Sequence, residues 1–117
     1  MTILDFTKEE IDSLNYEFPL WESYELSPGT YPTQKETINT VASPNILIVR
    51  EDVPEAIVYE MTKMLWDNLA TLQEIHSATN SMSVESALSG VSVPLHLGAL
   101  RYYEEQGITI PAHLRAE

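Results

Sequence analysis

The chain has 117 residues and a net charge of −12, from 18 acidic and 6 basic side chains. Such a surface repels phosphate backbones and anionic lipid, so we expect no nucleic-acid partner and no binding to a membrane surface, and the charge favours a cationic partner. The sequence contains no cysteine, so disulfides, thiol catalysis and cysteine-ligated zinc are excluded as well. The length and an apolar fraction of 44% predict a single domain or part of one.

The first third of the chain carries local signals of secondary structure. Thr7 and Glu10 have the spacing of a capping box, which predicts a short helix running to about Asn15. Rough alternation of side-chain polarity predicts a strand over residues 20–26, and proline and glycine predict a turn over residues 27–29. The following segments predict a loop and then an extended stretch, residues 30–39 and 40–43.

Residues 45–50 are apolar and β-branched, which is typical of a strand buried on both faces of a parallel sheet. Asp52 and Glu55 then have the spacing of a helix N-cap pair, and Pro54 suits a first turn. The pattern predicts one long amphipathic helix to His76. Its apolar stripe, interrupted only by Asn68, is expected to face the core and comprises Ile57, Met61, Met64, Leu65, Leu69, Leu72 and Ile75.

Tyr59 and Trp66 lie off this stripe, on one flank of the predicted helix. Aromatic side chains at helical spacing are usually buried in a core or an interface. The pair therefore predicts a second packing surface, against a further lobe or a partner chain.

The C-terminal third predicts short elements. Residues 77–81 form a predicted loop, and Ser83 and Gly90 occupy the N-cap and C′ positions of a short helix. Pro94 is expected to open a further helix, which Gly107 ends. The expected inward residues of this helix are Leu95, Leu97, Leu100 and Tyr103, and a last turn is expected over residues 111–114.

The sequence offers no catalytic or metal constellation. The spacing of His76, His96 and His113 matches no metal-ligand motif, and His96 is expected to bond to backbone at a helix start. Glu104 and Glu105 are adjacent, so on a helix their carboxylates point apart. No Gly-x-Ser-x-Gly elbow is present. We therefore expect no enzyme activity, no metal and no cofactor, and an acidic enzyme domain is the least supported hypothesis.

Four stretches are distinctive as an ordered set: YEFP at 16–19, SPGTYPTQ at 27–34, TVASPNILIVREDVP at 40–54 and VPLHLGALRYY at 93–103. In order and spacing they resemble the C-terminal part of the TAXI family, the extracytoplasmic solute-binding proteins of one class of TRAP transporters. The resemblance runs from Asp5 to Ile108. The chain departs from the family pattern at Thr33, where the family has glycine, and at Leu97, where it has proline.

The resemblance implies a type II periplasmic-binding-protein fold, with two α/β lobes around a ligand cleft. Family members are much longer, so the chain corresponds to their C-terminal third. The expected fold class is α/β, with few strands and several flanking helices, and residues 1–117 form a single domain or a fragment. The resemblance also implies a periplasmic or extracytoplasmic location, although the first residues show no signal-peptide pattern.

The resemblance further implies a ligand and partners. The ligand would be a small carboxylate such as glutamate or glutamine, bound by cleft closure and passed to the membrane subunits of a TRAP permease. A carboxylate needs hydroxyl and amide groups, and its stem needs an aromatic wall. The candidate ligand-binding residues are Tyr31, Gln34, Thr40, Ser43 and Asn45. The alternative for each of them is a role in packing or in a turn.

A second hypothesis starts from the apolar strand predicted at residues 45–50. The chain does not supply obvious neighbours for a strand that is buried on both faces. This indicates a piece of a larger α/β protein, or a homodimer that completes the sheet between chains. In that case the protein would be a truncated interaction module that has lost ligand binding and self-associates through its bare apolar surface.

Overall fold

The computed structural model describes residues 3–116. The chain divides into two units, Met1–Asn45 (unit 1) and Ile46–Glu117 (unit 2). Helices and one two-stranded antiparallel sheet make up the described part, which agrees with a portion of an α/β protein. Unit 1 contains α1 (Lys8–Glu17), β1 (Glu22–Leu26) and β2 (Ile38–Ala42), and unit 2 contains α2 (Glu55–Asp67), α3 (Leu69–Ile75), α4 (Leu97–Glu105) and two 3₁₀ turns, Ser77–Ser81 and Ala112–Leu114.

Helix α1 begins where the capping box predicts. The Thr7 hydroxyl accepts a hydrogen bond from the backbone N–H of Glu10 at 3.3 Å, and the Glu10 carboxylate accepts from the backbone N–H of Thr7 at 2.8 Å. Two N–H groups that a helix start leaves unpaired are therefore satisfied. The helix continues past Asn15 to Glu17, and it buries Ile11.

Strands β1 and β2 pair antiparallel, and the turn between them contains Gly29 at a φ of 82°. Strand β2 begins at Ile38, inside the segment that the sequence predicts as a loop. The segment before α1 lies along β2, since Phe6 N donates to Asn39 O at 3.0 Å and the Asp5 carboxylate accepts from Asn39 N at 2.7 Å. These bonds satisfy backbone groups on the outer edge of a small sheet.

In unit 2, α2 packs against α4 at a crossing that requires glycine. Gly98 is buried there, and a Cβ atom added to it would lie 2.6 Å from the backbone nitrogen of Tyr59 and collide with the carbonyl oxygen of Glu55. Real side chains do not approach backbone this closely, so the absence of a side chain lets the two helices meet.

An aromatic cluster forms the core of unit 2. Tyr102 and Tyr103 are buried with Ile110 and Leu114. Tyr59 packs edge-on against Tyr102 with ring centroids 6.0 Å apart, and the Trp66 indole N–H donates to the Tyr103 hydroxyl at 3.2 Å. The prediction that Tyr59 and Trp66 form a packing surface is confirmed. The predicted partner, a further lobe or a partner chain, is wrong, because the surface packs on α4 of the same chain.

The prediction of a strand over residues 45–50 is wrong. No described residue pairs with this segment, and the side chains of Leu47 and Ile48 are 76% and 79% exposed. A strand requires the hydrogen bonds of a neighbour, and the two strands described in unit 1 pair only with each other. Residues 45–50 thus have the composition of a buried strand, but no neighbouring strand among the described residues covers them.

Two predictions about the long helix are also wrong. Pro54 occupies the N-cap position without a side-chain bond, because the Asp52 carboxylate binds the Arg50 guanidinium instead, at 2.6 and 2.8 Å. The helix is broken at Asn68, whose side-chain amide donates to the Met64 carbonyl at 2.8 Å and separates α2 from α3. A local side-chain bond of this type competes with helical continuation.

Only part of the predicted inward stripe is covered. Leu65, Leu69 and Leu72 are half-buried, whereas Ile57, Met61, Met64 and Ile75 are exposed. Val58, which is not in the predicted stripe, is buried. Both faces of α2 carry apolar side chains, and the face that meets α4 is the one that becomes buried. Periodicity identifies an apolar stripe, but the position of the packing partner decides which stripe is covered.

Several C-terminal elements differ from the predictions. Residues 77–81 form a 3₁₀ helix rather than a loop, and residues 84–90 form turns rather than a helix. Helix α4 begins at Leu97 and not at Pro94, because His96 caps it. Leu97 is exposed and not inward, while Tyr103 is buried as predicted. The predicted last turn is confirmed over Ala112–Leu114.

None of the helices within residues 3–116 has the length and apolar character of a membrane-spanning segment.

Candidate functional site

All five candidate ligand residues lie in unit 1, and the structure brings two of them together. Tyr31 and Gln34 line an open depression of about 540 Å³. Thr40 belongs to β2, opposite Tyr24, and does not line it. Ser43 and Asn45 follow β2 and are exposed, also outside the depression. The described residues that line the depression are Ile3, Asp5, Tyr31, Thr33, Gln34, Lys35, Glu36, Thr37 and Ile38.

The Gln34 side chain holds the loop that forms this depression. Its amide nitrogen donates to the carbonyls of Leu26 at 3.0 Å and Glu36 at 2.9 Å, and its amide oxygen accepts from Tyr31 N at 3.4 Å. Its backbone carbonyl also accepts from Gly29 N at 3.0 Å. Both N–H donors of the amide are used within the loop, so Gln34 shapes the depression. Direct contact of Gln34 with a ligand stays a prediction.

Tyr31 presents its ring at the edge of the depression, where 41% of the residue is exposed. Its hydroxyl has no hydrogen-bond partner among the described residues, and the same holds for the hydroxyls of Thr33 and Thr37. An aromatic surface beside uncommitted hydroxyl groups is suited to a small ligand with an apolar stem and a polar end.

Among the described residues that line the depression, Lys35 supplies the one positive charge. Two acidic residues line it as well: Asp5, which accepts from the Asn39 backbone nitrogen at 2.7 Å and from its side-chain amide at 3.3 Å, and Glu36, so the described lining carries more negative than positive charge. The Lys35 ammonium has no ion-pair partner among the described residues and can attract a carboxylate. The sequence interpretation missed this residue, although it follows Gln34 directly and is one of only two basic residues before position 46.

His96 has the structural role that the sequence predicts. Its Nδ1 accepts from Gly98 N at 3.1 Å and caps α4, while its Nε2 lies 3.0 Å from Val53 O and 3.3 Å from Glu51 O. These partners fit a neutral ring with the proton on Nε2, a tautomer inferred from the bonds. No group of three or more metal-ligating side chains occurs within residues 3–116.

A second polar cluster joins α2 and α4. Arg101 binds Glu55 at 3.3 Å and Glu105 at 3.1 Å, and its guanidinium lies 4.2 Å from the centre of the Tyr59 ring. The hydrogen bond from the Tyr59 hydroxyl, followed by that from Arg101, lowers the pKa of Glu105, and the same bond to Glu105 raises the pKa of Tyr59. Each group is committed to another, so this cluster fastens two helices and offers no reactive group.

The comparison with known families is consistent with a ligand site. Residues 1–107 match the model of the NMT1-like family, a family of periplasmic solute-binding proteins. The match includes every residue that lines the depression in unit 1 and both helices of the crossing in unit 2. The chain belongs to this family.

Proposed function

Because the chain is a member of the NMT1-like family, we propose that it is the solute-binding component of a TRAP-type transporter of the TAXI class. It binds a small carboxylate such as glutamate or glutamine outside the cytoplasm and performs no chemistry on it. Family membership is the observation that carries this proposal, and the TAXI-like stretches of the sequence support it.

The depression in unit 1 supplies the chemistry that such a ligand needs. Lys35 pairs with the ligand carboxylate, the Tyr31 ring covers the carbon stem, and the hydroxyls of Thr33 and Thr37 bind the remaining polar atoms. An open surface of this kind buries only part of a solute. We therefore propose that it forms one wall of an interlobe cleft in a type II periplasmic-binding-protein fold, and that the permease accepts the closed form.

A thermal melt of the whole chain against a panel of amino acids, dicarboxylates and oxo-acids tests the proposal. A ligand present at one hundred times its Kd stabilises the folded state by about 2.7 kcal/mol, which raises the melting midpoint visibly. We expect a rise with glutamate or glutamine. Lys35→Gln should abolish the rise, because it removes the charge that attracts the carboxylate.

Lys8→Gln is the matched control for this experiment. It removes the other basic residue of unit 1, on the exposed surface of α1, and changes the net charge by the same amount. The control should keep the full ligand response. An equal loss in both variants would show a general charge effect, and no response to any acid in the panel would overturn solute binding by this chain.

A second candidate function is self-association, and the exposed segment Ile46–Val49 favours it. Four consecutive apolar side chains are exposed there, and no described strand pairs with their backbone. Surface of this kind is normally covered by a partner. Sedimentation velocity at several protein concentrations should then show a dimer that Leu47→Ser with Ile48→Ser dissociates. A monomer at every concentration would eliminate this function.

A further inference from the structure

The depression in unit 1 is lined by charges of both signs that do not pair with one another. Lys35 is the basic residue of its described lining, and Asp5 and Glu36 are the acidic ones. No ion pair joins Lys35 to either acid within residues 3–116. In unit 2, by contrast, every lysine and arginine forms an ion pair with an acid, and these residues are Arg50, Lys63, Arg101 and Arg115. The depression thus presents separate opposite charges on one surface.

The Asp5 carboxylate is held in place by one of its two oxygens. Its Oδ1 accepts from the Asn39 backbone nitrogen at 2.7 Å and from the Asn39 side-chain amide at 3.3 Å. Its Oδ2 has no hydrogen-bond partner among the described residues. Since both oxygens of a carboxylate can accept, Asp5 can bind the sheet edge with Oδ1 and a ligand with Oδ2. The anchor on β2 fixes the side chain beforehand, so little conformational freedom is lost when Oδ2 binds a donor.

A solute with one carboxylate and one ammonium group complements this lining. An ammonium group has only N–H donors, which suit the carboxylates of Asp5 and Glu36, while the carboxylate of the solute suits Lys35. A dicarboxylate or a dicarboxylic oxo-acid carries two negative charges and no ammonium group. One of its carboxylates can bind Lys35, but the other then enters a lining whose remaining charges are negative, which repels it.

We propose that the depression selects zwitterionic amino acids, and that Asp5 and Glu36 bind the ammonium group and disfavour dicarboxylates and oxo-acids. This inference rests on the proposed solute-binding function and narrows its ligand class. It favours glutamine, which has no net charge, over glutamate, which has one more carboxylate. Hydrated charges of this kind need no partner in the free protein. They act on the difference in affinity between one solute and its competitors, and this difference is the specificity of the site.

Isothermal titration calorimetry with related solutes tests the inference on the whole chain. Glutamine carries the ammonium group, 4-carbamoylbutanoate is the same molecule without it, and glutarate has two carboxylates and no ammonium group. We expect glutamine to bind about tenfold more tightly than 4-carbamoylbutanoate, because a hydrogen bond to a charged group contributes at least this factor. Glutarate should bind most weakly. Added salt should reduce these differences, since it screens exposed charges.

Asp5→Asn separates the charge of Asp5 from its structural role. The asparagine amide keeps an oxygen that accepts from Asn39, and it replaces Oδ2 by a donor. The preference for glutamine over 4-carbamoylbutanoate should fall about tenfold. Glu36→Gln, at an exposed position, should reduce this preference by a smaller factor and should strengthen glutarate binding.

Glu25→Gln is the matched control for both variants. It removes the same charge at an exposed position of β1, outside the described lining of the depression. The control should keep the full preference for glutamine over 4-carbamoylbutanoate. Far-ultraviolet circular dichroism should be the same for all three variants and the unmodified chain, which separates a change in specificity from a change in fold.

Three results would overturn the inference and leave solute binding intact. The first is a dicarboxylate or oxo-acid that binds as tightly as the best amino acid. The second is a preference for glutamine that neither Asp5→Asn nor Glu36→Gln reduces. The third is an equal reduction in Glu25→Gln, which would show a general effect of the negative surface. Absence of binding for every solute would instead overturn the proposed function together with this inference.

Discussion

Units 1 and 2 are stabilised by different kinds of interaction. Among the described residues, unit 1 buries one hydrophobic side chain, Ile11, and its loops are fixed by side-chain hydrogen bonds such as those of Asp5 and Gln34. Unit 2 buries an aromatic and aliphatic cluster around Tyr102 and Leu114. Hydrogen bonds contribute less free energy each than a buried side chain does. Substitutions should therefore cost more stability in unit 2 than in unit 1.

Each unit contains one tryptophan, Trp21 in unit 1 and Trp66 in unit 2, so the two can be followed separately. A Trp21→Phe background reports on unit 2 by Trp66 fluorescence. A Trp66→Phe background reports on unit 1 by Trp21 fluorescence. The background substitutions are present in the reference protein as well, so each comparison isolates one change.

Leu114→Ala is expected to have the largest effect. Leu114 is fully buried in the cluster of unit 2, and its truncation removes apolar contacts and leaves a cavity. The free energy of unfolding should fall by about 3 kcal/mol, measured by urea denaturation through Trp66. Ile75→Ala, at an exposed position of the same unit, should change it by less than about 0.5 kcal/mol. Similar values for both variants would contradict the assignment of the core.

Gly98→Ala is expected to have the second-largest effect, a loss of about 1–3 kcal/mol in the free energy of unfolding. The added Cβ meets the backbone of α2 at Glu55 and Tyr59, which cannot move aside as a flexible side chain could. The two helices must separate. The near-ultraviolet circular dichroism signal of the Tyr59–Tyr102 pair should therefore decrease together with the free energy of unfolding. Unchanged stability and an unchanged aromatic spectrum would show that the crossing is looser than described.

Thr7→Ala probes unit 1 and should cost about 1 kcal/mol. It removes the hydroxyl that accepts from the backbone N–H of Glu10 at the start of α1. Urea denaturation followed by Trp21 fluorescence measures the loss. Thr7→Ser is the control. Its free energy of unfolding should be close to that of the unmodified chain, because a serine hydroxyl can accept the same hydrogen bond at the N-cap position. A loss larger than that of Leu114→Ala would reverse the comparison between the units.

The smallest effect concerns pH. The hydrogen bond from Tyr59, followed by that from Arg101, lowers the pKa of Glu105 in the folded state. The stability that Glu105 contributes is thus present above its unfolded pKa and is lost as pH falls through the folded pKa. Urea midpoints measured from neutral to acidic pH should decline less in Glu105→Gln than in the unmodified chain. Glu85→Gln, at an exposed acid with no ion pair among the described residues, is the control and should decline like the unmodified chain.

The candidate site could be predicted from the sequence only in part. The loop motif led to Tyr31 and Gln34, and the structure places both at one depression. Lys35 was missed, because a lysine in a polar loop has no distinguishing pattern until its neighbours in space are known. Thr40, Ser43 and Asn45 are close to the loop in sequence but do not line the depression, since β2 carries the chain away from it.

The sequence by itself determined the features that depend on a few neighbouring residues. These are the capping box at Thr7, the turn at Gly29, the left-handed glycine at Gly107 that follows α4, and the last turn at Ala112–Leu114. Their free energy comes from hydrogen bonds and backbone conformations within about one turn of chain.

Only the tertiary structure decided which apolar segments are buried and which are exposed. The composition of residues 45–50 suits a buried strand, and the periodicity of α2 suits a helix with Met61 inward, yet both are exposed. A strand needs a hydrogen-bonding neighbour, and a helix buries whichever face meets a partner. Those partners are distant in sequence, as α4 is for α2. Local pattern fixes what a segment can bury, and only the presence of a complementary surface fixes what it does bury.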